Sequence, residues 1–126
     1  MLPTGPVVSR TWYKMKIRKQ GETLHISEVK ELGAANSNAF RDYVRSNLAD
    51  EQRHIEIDLS ETTFLDSCGL GALIALHKAA QRRQGGVRLV SPQPSVDQIL
   101  CLTRMDHIFD IVRSQGPEIT TAQQTL

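Results

Sequence analysis

Residues His54 to Leu59 alternate strictly, with Ile55, Ile57 and Leu59 on one side and His54, Glu56 and Asp58 on the other. A period of two marks a strand with one buried face. A few residues later the period changes. From Cys68 to Gln84, Leu70, Leu73, Ile74 and His77 recur at helical spacing, and Ala72, Ala75, Leu76 and Ala79 broaden the stripe. The helix this predicts is largely buried, and Gly85-Gly86 ends it. A half-buried strand feeding a buried helix belongs in an α/β domain, where the helix carries the chain back over the sheet.

The rest of the chain repeats the pattern. Lys14 to Arg18 and Thr23 to Val29 alternate as strands around a Gln20-Gly21-Glu22 turn, which predicts a hairpin. Asn36 stands where a cap would start a helix to Leu48, with Phe40, Tyr43, Val44 and Leu48 on one face. Val87 to Val90 reads as a strand and Ser91-Pro92-Gln93-Pro94 as a turn. Ser95 and Gln98 have capping-box spacing before Val96, Ile99 and Leu100, so a helix is expected from Ser95. Ile108 to Val112 reads as the last strand. The order is β-β-α-β-α-β-α-β. The expected fold is a mixed central sheet of four to five strands with three to four helices packed on it. Partners of such sheets gather at the carboxyl ends of the strands. The segment joining His54–Leu59 to the second helix is therefore the one to inspect.

Composition narrows the function classes. The chain has 126 residues, of which 40% are hydrophobic and 23% charged, as in an ordinary folded domain. Pro3, Gly5 and Pro6 mark residues 1–10 as an arm. Gly116, Pro117 and a polar run mark 114–126 as a tail, leaving one domain at 11–113. Fifteen basic side chains against fourteen acidic ones give a net charge of +1, which argues against direct nucleic-acid binding. Aromatic residues at 5% offer no base-stacking platform. Cys68 and Cys101 are too few for a disulfide framework. No signal peptide and no apolar run of about 20 residues is evident, so a cytoplasmic location without membrane insertion is expected. No His, Cys and Asp spacing matches a metal-ligand set.

The junction reads Thr62-Thr63-Phe64-Leu65-Asp66-Ser67-Cys68-Gly69-Leu70-Gly71. It lacks the third glycine of a dinucleotide loop and the G-K-[ST] of a P-loop. It is no nucleophile elbow either, because Leu65 stands where the first glycine is required. His25, His54, His77 and His107 are scattered and suggest no base for a serine nucleophile. Two readings remain on the residues alone. Ser67 caps the helix, or its hydroxyl is a phosphorylation site where the helix dipole tolerates a dianion.

The run Ile57-Asp58-Leu59-Ser60, followed by Phe64-Leu65-Asp66-Ser67-Cys68-Gly69-Leu70-Gly71, resembles the signature of STAS domains. These include anti-sigma factor antagonists and the related domains of sulfate transporters. Glu31-Leu32-Gly33-Ala34-Ala35-Asn36 resembles the family's loop before its first helix. The resemblance implies a regulatory binding module rather than an enzyme, with no cofactor of its own. It makes Ser67 the phosphoacceptor and puts Asp66, Cys68, Gly69, Leu70, Gly33 and Asn36 on the partner surface. Gly69 would admit the partner's backbone. The implied partners are an anti-sigma factor that is also a serine kinase, which supplies ATP and Mg²⁺, and a cognate phosphatase. Two positions depart from the family pattern: Lys30 replaces a glycine and Gly33 an aspartate. They leave a second reading open, a non-switching STAS scaffold or a partner of a membrane transporter. One phosphoryl group of about −2 would reverse the sign of the net charge.

Overall fold

The computed structural model of the chain describes residues 15–113. The arm, the tail, Trp12, Tyr13 and Lys14 lie outside the described residues. Strands β1 (Lys16–Gln20) and β2 (Thr23–Ser27) form the hairpin. The first strand lies two residues later than the alternation predicts. Gln20 pairs with Thr23, so only Gly21 and Glu22 are left for the turn, and Gly21 takes φ 59°. Two-residue hairpin turns need such positive φ values, which glycine adopts without strain.

Then follow β3 (Glu31–Leu32), α1 (Ser37–Ser46), β4 (His54–Asp58) and β5 (Phe64–Leu65). The chain continues through α2 (Ser67–Arg82), β6 (Val87–Val90), α3 (Pro94–Leu102), a 3-10 turn (Met105–His107) and β7 (Asp110–Val112). The main sheet has five strands in the order β1-β2-β4-β6-β7. It is antiparallel at β1/β2 and parallel from β2 onward. A mixed five-stranded sheet with three α-helices agrees with the expected fold. The short strands β3 and β5 pair separately, in parallel.

Helix boundaries differ from expectation for local reasons. Helix α1 ends at Ser46 rather than Leu48, and the Asn36 side chain does not cap it. The Asn36 carboxamide is engaged in the preceding loop. Its oxygen accepts from the Gly33 N–H at 2.9 Å and its nitrogen donates to the Glu31 carbonyl at 2.9 Å. Helix α3 starts at Pro94, without a side-chain cap and without the Ser95–Gln98 capping box. Proline suits a first helical position because it lacks the N–H that would go unpaired there. That shifts Ser95 into the first turn. Helix α2 runs from Ser67 to Arg82, and its cap is Asp66 rather than Ser67. The last strand is shorter than Ile108–Val112 because the 3-10 turn and a bend occupy the residues before Asp110.

The core forms between one face of the sheet and the helices. Leu24, Ile26, Ile55, Ile57, Val87 and Leu89 meet Phe40, Val44, Leu73, Leu76, Val96 and Leu100 in one buried cluster. The intervening strand residues carry charge. Arg18, His25, Glu56, Arg88 and Asp110 stand in one register row across all five strands. His25 lies 2.6 Å from Glu56, and Arg88 lies 3.1 Å from Asp110. Such cross-strand pairs on a solvated face contribute modestly to stability.

Candidate functional site

The two-residue pair β3/β5 builds the site. Pairing Leu32 with Leu65 brings the start of the β3–α1 loop beside the start of α2. The Asp66 N–H donates to the Leu32 carbonyl at 3.4 Å. The Asp66 carboxylate then fastens both segments. One oxygen accepts from the Gly69 N–H at 3.0 Å and caps α2. The other accepts from the Ala34 N–H at 3.1 Å. An Asp at the cap position supplies the acceptor that free helix N–H groups lack, and its charge meets the positive end of the dipole.

These hydrogen bonds, led by the one from Gly69, hold the Asp66 carboxyl below its ordinary value of 3.8. Because the folded value is the lower one, the carboxylate stabilises the fold fully above its unfolded-state value. That contribution is lost as pH falls through the folded value. Asp66→Ala should therefore lower the melting temperature at neutral pH. The gap to the wild type should narrow below about pH 4, as thermal melts at stepped pH would show. A gap independent of pH would contradict the carboxylate's role.

Glycines make the junction close. A Cβ at Gly69 would collide with the carbonyl of Leu32 and come within 2.8 Å of the Leu65 side chain. The space beside Gly69 is thus filled by the chain itself, not left for a partner's backbone. A Cβ at Gly33 would stand 2.6 Å from the Phe64 ring and 2.9 Å from the Asp66 carboxylate. The aspartate expected there from the family pattern would displace that ring. Leu70 is part of the buried cluster, and Asn36 is buried in the loop. Gly33, Asn36, Gly69 and Leu70 therefore shape the surface from beneath.

Ser67 and Cys68 are exposed at the first turn of α2. The Ser67 hydroxyl faces solvent beside a carboxylate that is turned toward the backbone. Phe64, three residues before Ser67, is 50% exposed. Lys30 lies 2.6 Å from Glu61, and this pair raises the lysine above its ordinary 10.5, chiefly through the hydrogen bond to Glu61. The F-L-D-S run contained the signal for Phe64. A two-residue strand has no periodicity to show which of its side chains is outside.

The family model described as STAS domain matches residues 14–116. The chain is a member of the STAS domain family. Among curated proteins, this STAS domain is 31% identical over 83 residues to a protein of Thermotoga maritima named "Putative anti-sigma factor antagonist". That match covers 65% of this chain and 74% of the relative. A crystal structure of a putative anti-sigma factor antagonist from the same organism superposes with TM-score 0.71 at 23% identity. It covers 86% of this chain and 93% of the other. The unphosphorylated anti-sigma factor antagonist SpoIIAA superposes with TM-score 0.68 at 17% identity, covering 81% and 89%. Both superpositions are evidence of the shared fold. Among the described residues, no helix is long and apolar enough to cross a membrane, and no group of three ligating side chains forms a metal site.

Proposed function

We propose that this STAS domain is an anti-sigma factor antagonist whose binding is switched by phosphorylation of Ser67. The observation that carries the reading is the exposed Ser67 hydroxyl at the first position of α2, next to the inward-turned Asp66. A kinase can reach that hydroxyl without unfolding the helix. The phosphoryl group formed there sits at the positive end of the α2 dipole, so the fold tolerates it. Outward, it places about two negative charges on a surface formed by Phe64, Ala34, Ala35 and Cys68. A partner packed on the neutral hydroxyl then meets bulk and a charge it must desolvate. The partner is a cytoplasmic anti-sigma factor that is itself a serine kinase, and a phosphatase returns the hydroxyl.

The test is phosphorylation by the cognate serine kinase with ATP, followed by mass spectrometric mapping. One phosphate is expected, at Ser67, and none on Ser67→Ala. Phosphate on another residue, or none on the wild type, would refute the assignment. The substitutions at Lys30 and Gly33 favour a second reading, a STAS scaffold or transporter partner that does not switch. It predicts stable partner binding that no kinase alters.

A further inference from the structure

The starts of the four mutually parallel strands share one hollow on the solvated face of the sheet. A cavity of about 430 Å³ is lined there by Thr23 of β2, His54 of β4, Gly86 just before β6 and Asp110 of β7. His25, Glu56 and Arg88 complete its wall. That volume is usual for a small-molecule site. Ser67 comes after the carboxyl end of β4, so the cavity lies at the other end of the strands from the phosphorylation site. The described chain enters the sheet at Lys16, beside Ser27, and leaves it after Val112, beside Val90. Both points also belong to the carboxyl ends of the strands.

The polar groups of the lining are unequally used. The carboxylates are occupied by their neighbours. Glu56 has His25 Nδ1 at 2.6 Å and Arg88 Nη1 at 3.7 Å, and Asp110 accepts from Arg88 Nε at 3.1 Å. Donors are left over. Among the described residues, the His54 ring and the Thr23 hydroxyl have no hydrogen-bond partner, and neither Nη of Arg88 makes a hydrogen bond. A guanidinium, an imidazole N–H and a hydroxyl face one space from which the carboxylates are turned to other partners. That space suits a group made of acceptor oxygens. We propose that the cavity binds a small molecule through an oxyanion, a phosphate or carboxylate, held by Arg88, His54 and Thr23.

Arg88 is the charged anchor. Its bond to Asp110 and its approach to Glu56 hold the guanidinium across β4, β6 and β7 before any ligand arrives. The planar group then offers its Nη donors side by side, in the spacing of two oxygens of one anion. Thr23 and His54 are register partners on β2 and β4, so the remaining donors come from one cross-strand pair. Three strands thus grip the ligand, and donors already in place keep the ordering cost low.

The test uses the full chain. Inorganic phosphate and sodium acetate are the probes, with sodium chloride at equal ionic strength as the reference. The imidazole proton signals of the four histidines are followed during each titration. Those of His25 and His54 should shift and saturate. Those of His77 and His107, which do not line the cavity, should stay in place. Saturation with either probe supports the site, and the tighter of the two names the group it takes. His54 is exposed, so His54→Ala should keep the fold and weaken binding about tenfold, the scale of one hydrogen bond to a charged group. His107→Ala should bind as the wild type does. Shifts no larger than those in chloride, or equal affinities of the two histidine variants, would overturn the proposal.

Discussion

Alanine at position 69 is expected to lower the unfolding free energy by about 2 kcal/mol, within the usual range for forcing a methyl group into filled space. The added Cβ would press on the Leu32 carbonyl and on Leu65. Those atoms belong to β3 and β5, which fasten the loop to the helix, and neither can move without opening the β3/β5 pair. Two residues further on, the same substitution should act in the opposite direction. Gly71 also lies in the first turns of α2, but a Cβ there meets nothing within 4 Å. Gly71→Ala should gain up to about 1 kcal/mol from helix propensity alone. Denaturant titrations of both variants test the packing of the site directly. Equal effects would show that the close approach of α2 to β3 is wrong. Gly69→Ala should also reduce partner binding, because it displaces the surface on which Ser67 sits.

The second large effect concerns Ser67. Ser67→Asp places a fixed negative charge where the phosphoryl group would stand. It should weaken binding of the anti-sigma partner by about 100-fold, the scale of a like charge or an unpaired charge held in an interface. Ser67→Ala keeps the surface neutral and should bind nearly as the wild type does. Both variants should melt within a degree or two of the wild type, because the cap of α2 is Asp66 and not Ser67. That last point separates a switch from a structural cap. Had Ser67 been the cap, alanine would have cost about 1 kcal/mol of stability.

Much of this architecture was legible because long elements advertise their period. Ile55, Ile57 and Leu59 read as one face of a strand, and all three are buried. Leu73 and Leu76 read as the inner side of a helix and lie at the centre of the core. Shorter features left no such trace. β3 and β5 hold two residues each, too few to show alternation, yet they bring Gly33 beside Asp66. The caps are not legible in the sequence for a related reason. Ser, Asp and Asn all supply an acceptor oxygen, and sequence does not say which one faces the helix. At α2 the tertiary contact decides it, since only Asp66 reaches both the Gly69 and Ala34 N–H groups. At α1 the loop carbonyl of Glu31 and the Gly33 N–H engage Asn36 first.

The site residues divide in the same way. Ser67 and Cys68 are open to solvent, whereas Gly69 and Leu70 face the interior. Four consecutive residues of one motif thus do two jobs, and helical geometry separates them. Gly33 has a related explanation in the contact between the Phe64 ring and the loop. A charged loop residue would occupy the place this aromatic side chain takes. The loop beside Ser67 consequently carries no carboxylate at position 33.

The central claim is that one phosphoryl group on Ser67 releases the partner. The direct measurement is a time course on the preformed complex with its anti-sigma kinase after addition of ATP and Mg²⁺. Bound partner and phosphate on Ser67 would be followed in the same samples. The switch predicts that the complex disappears in step with phosphate incorporation, one molecule lost for each Ser67 modified, and that the Ser67→Ala complex persists. A complex that survives full phosphorylation of Ser67 would contradict it.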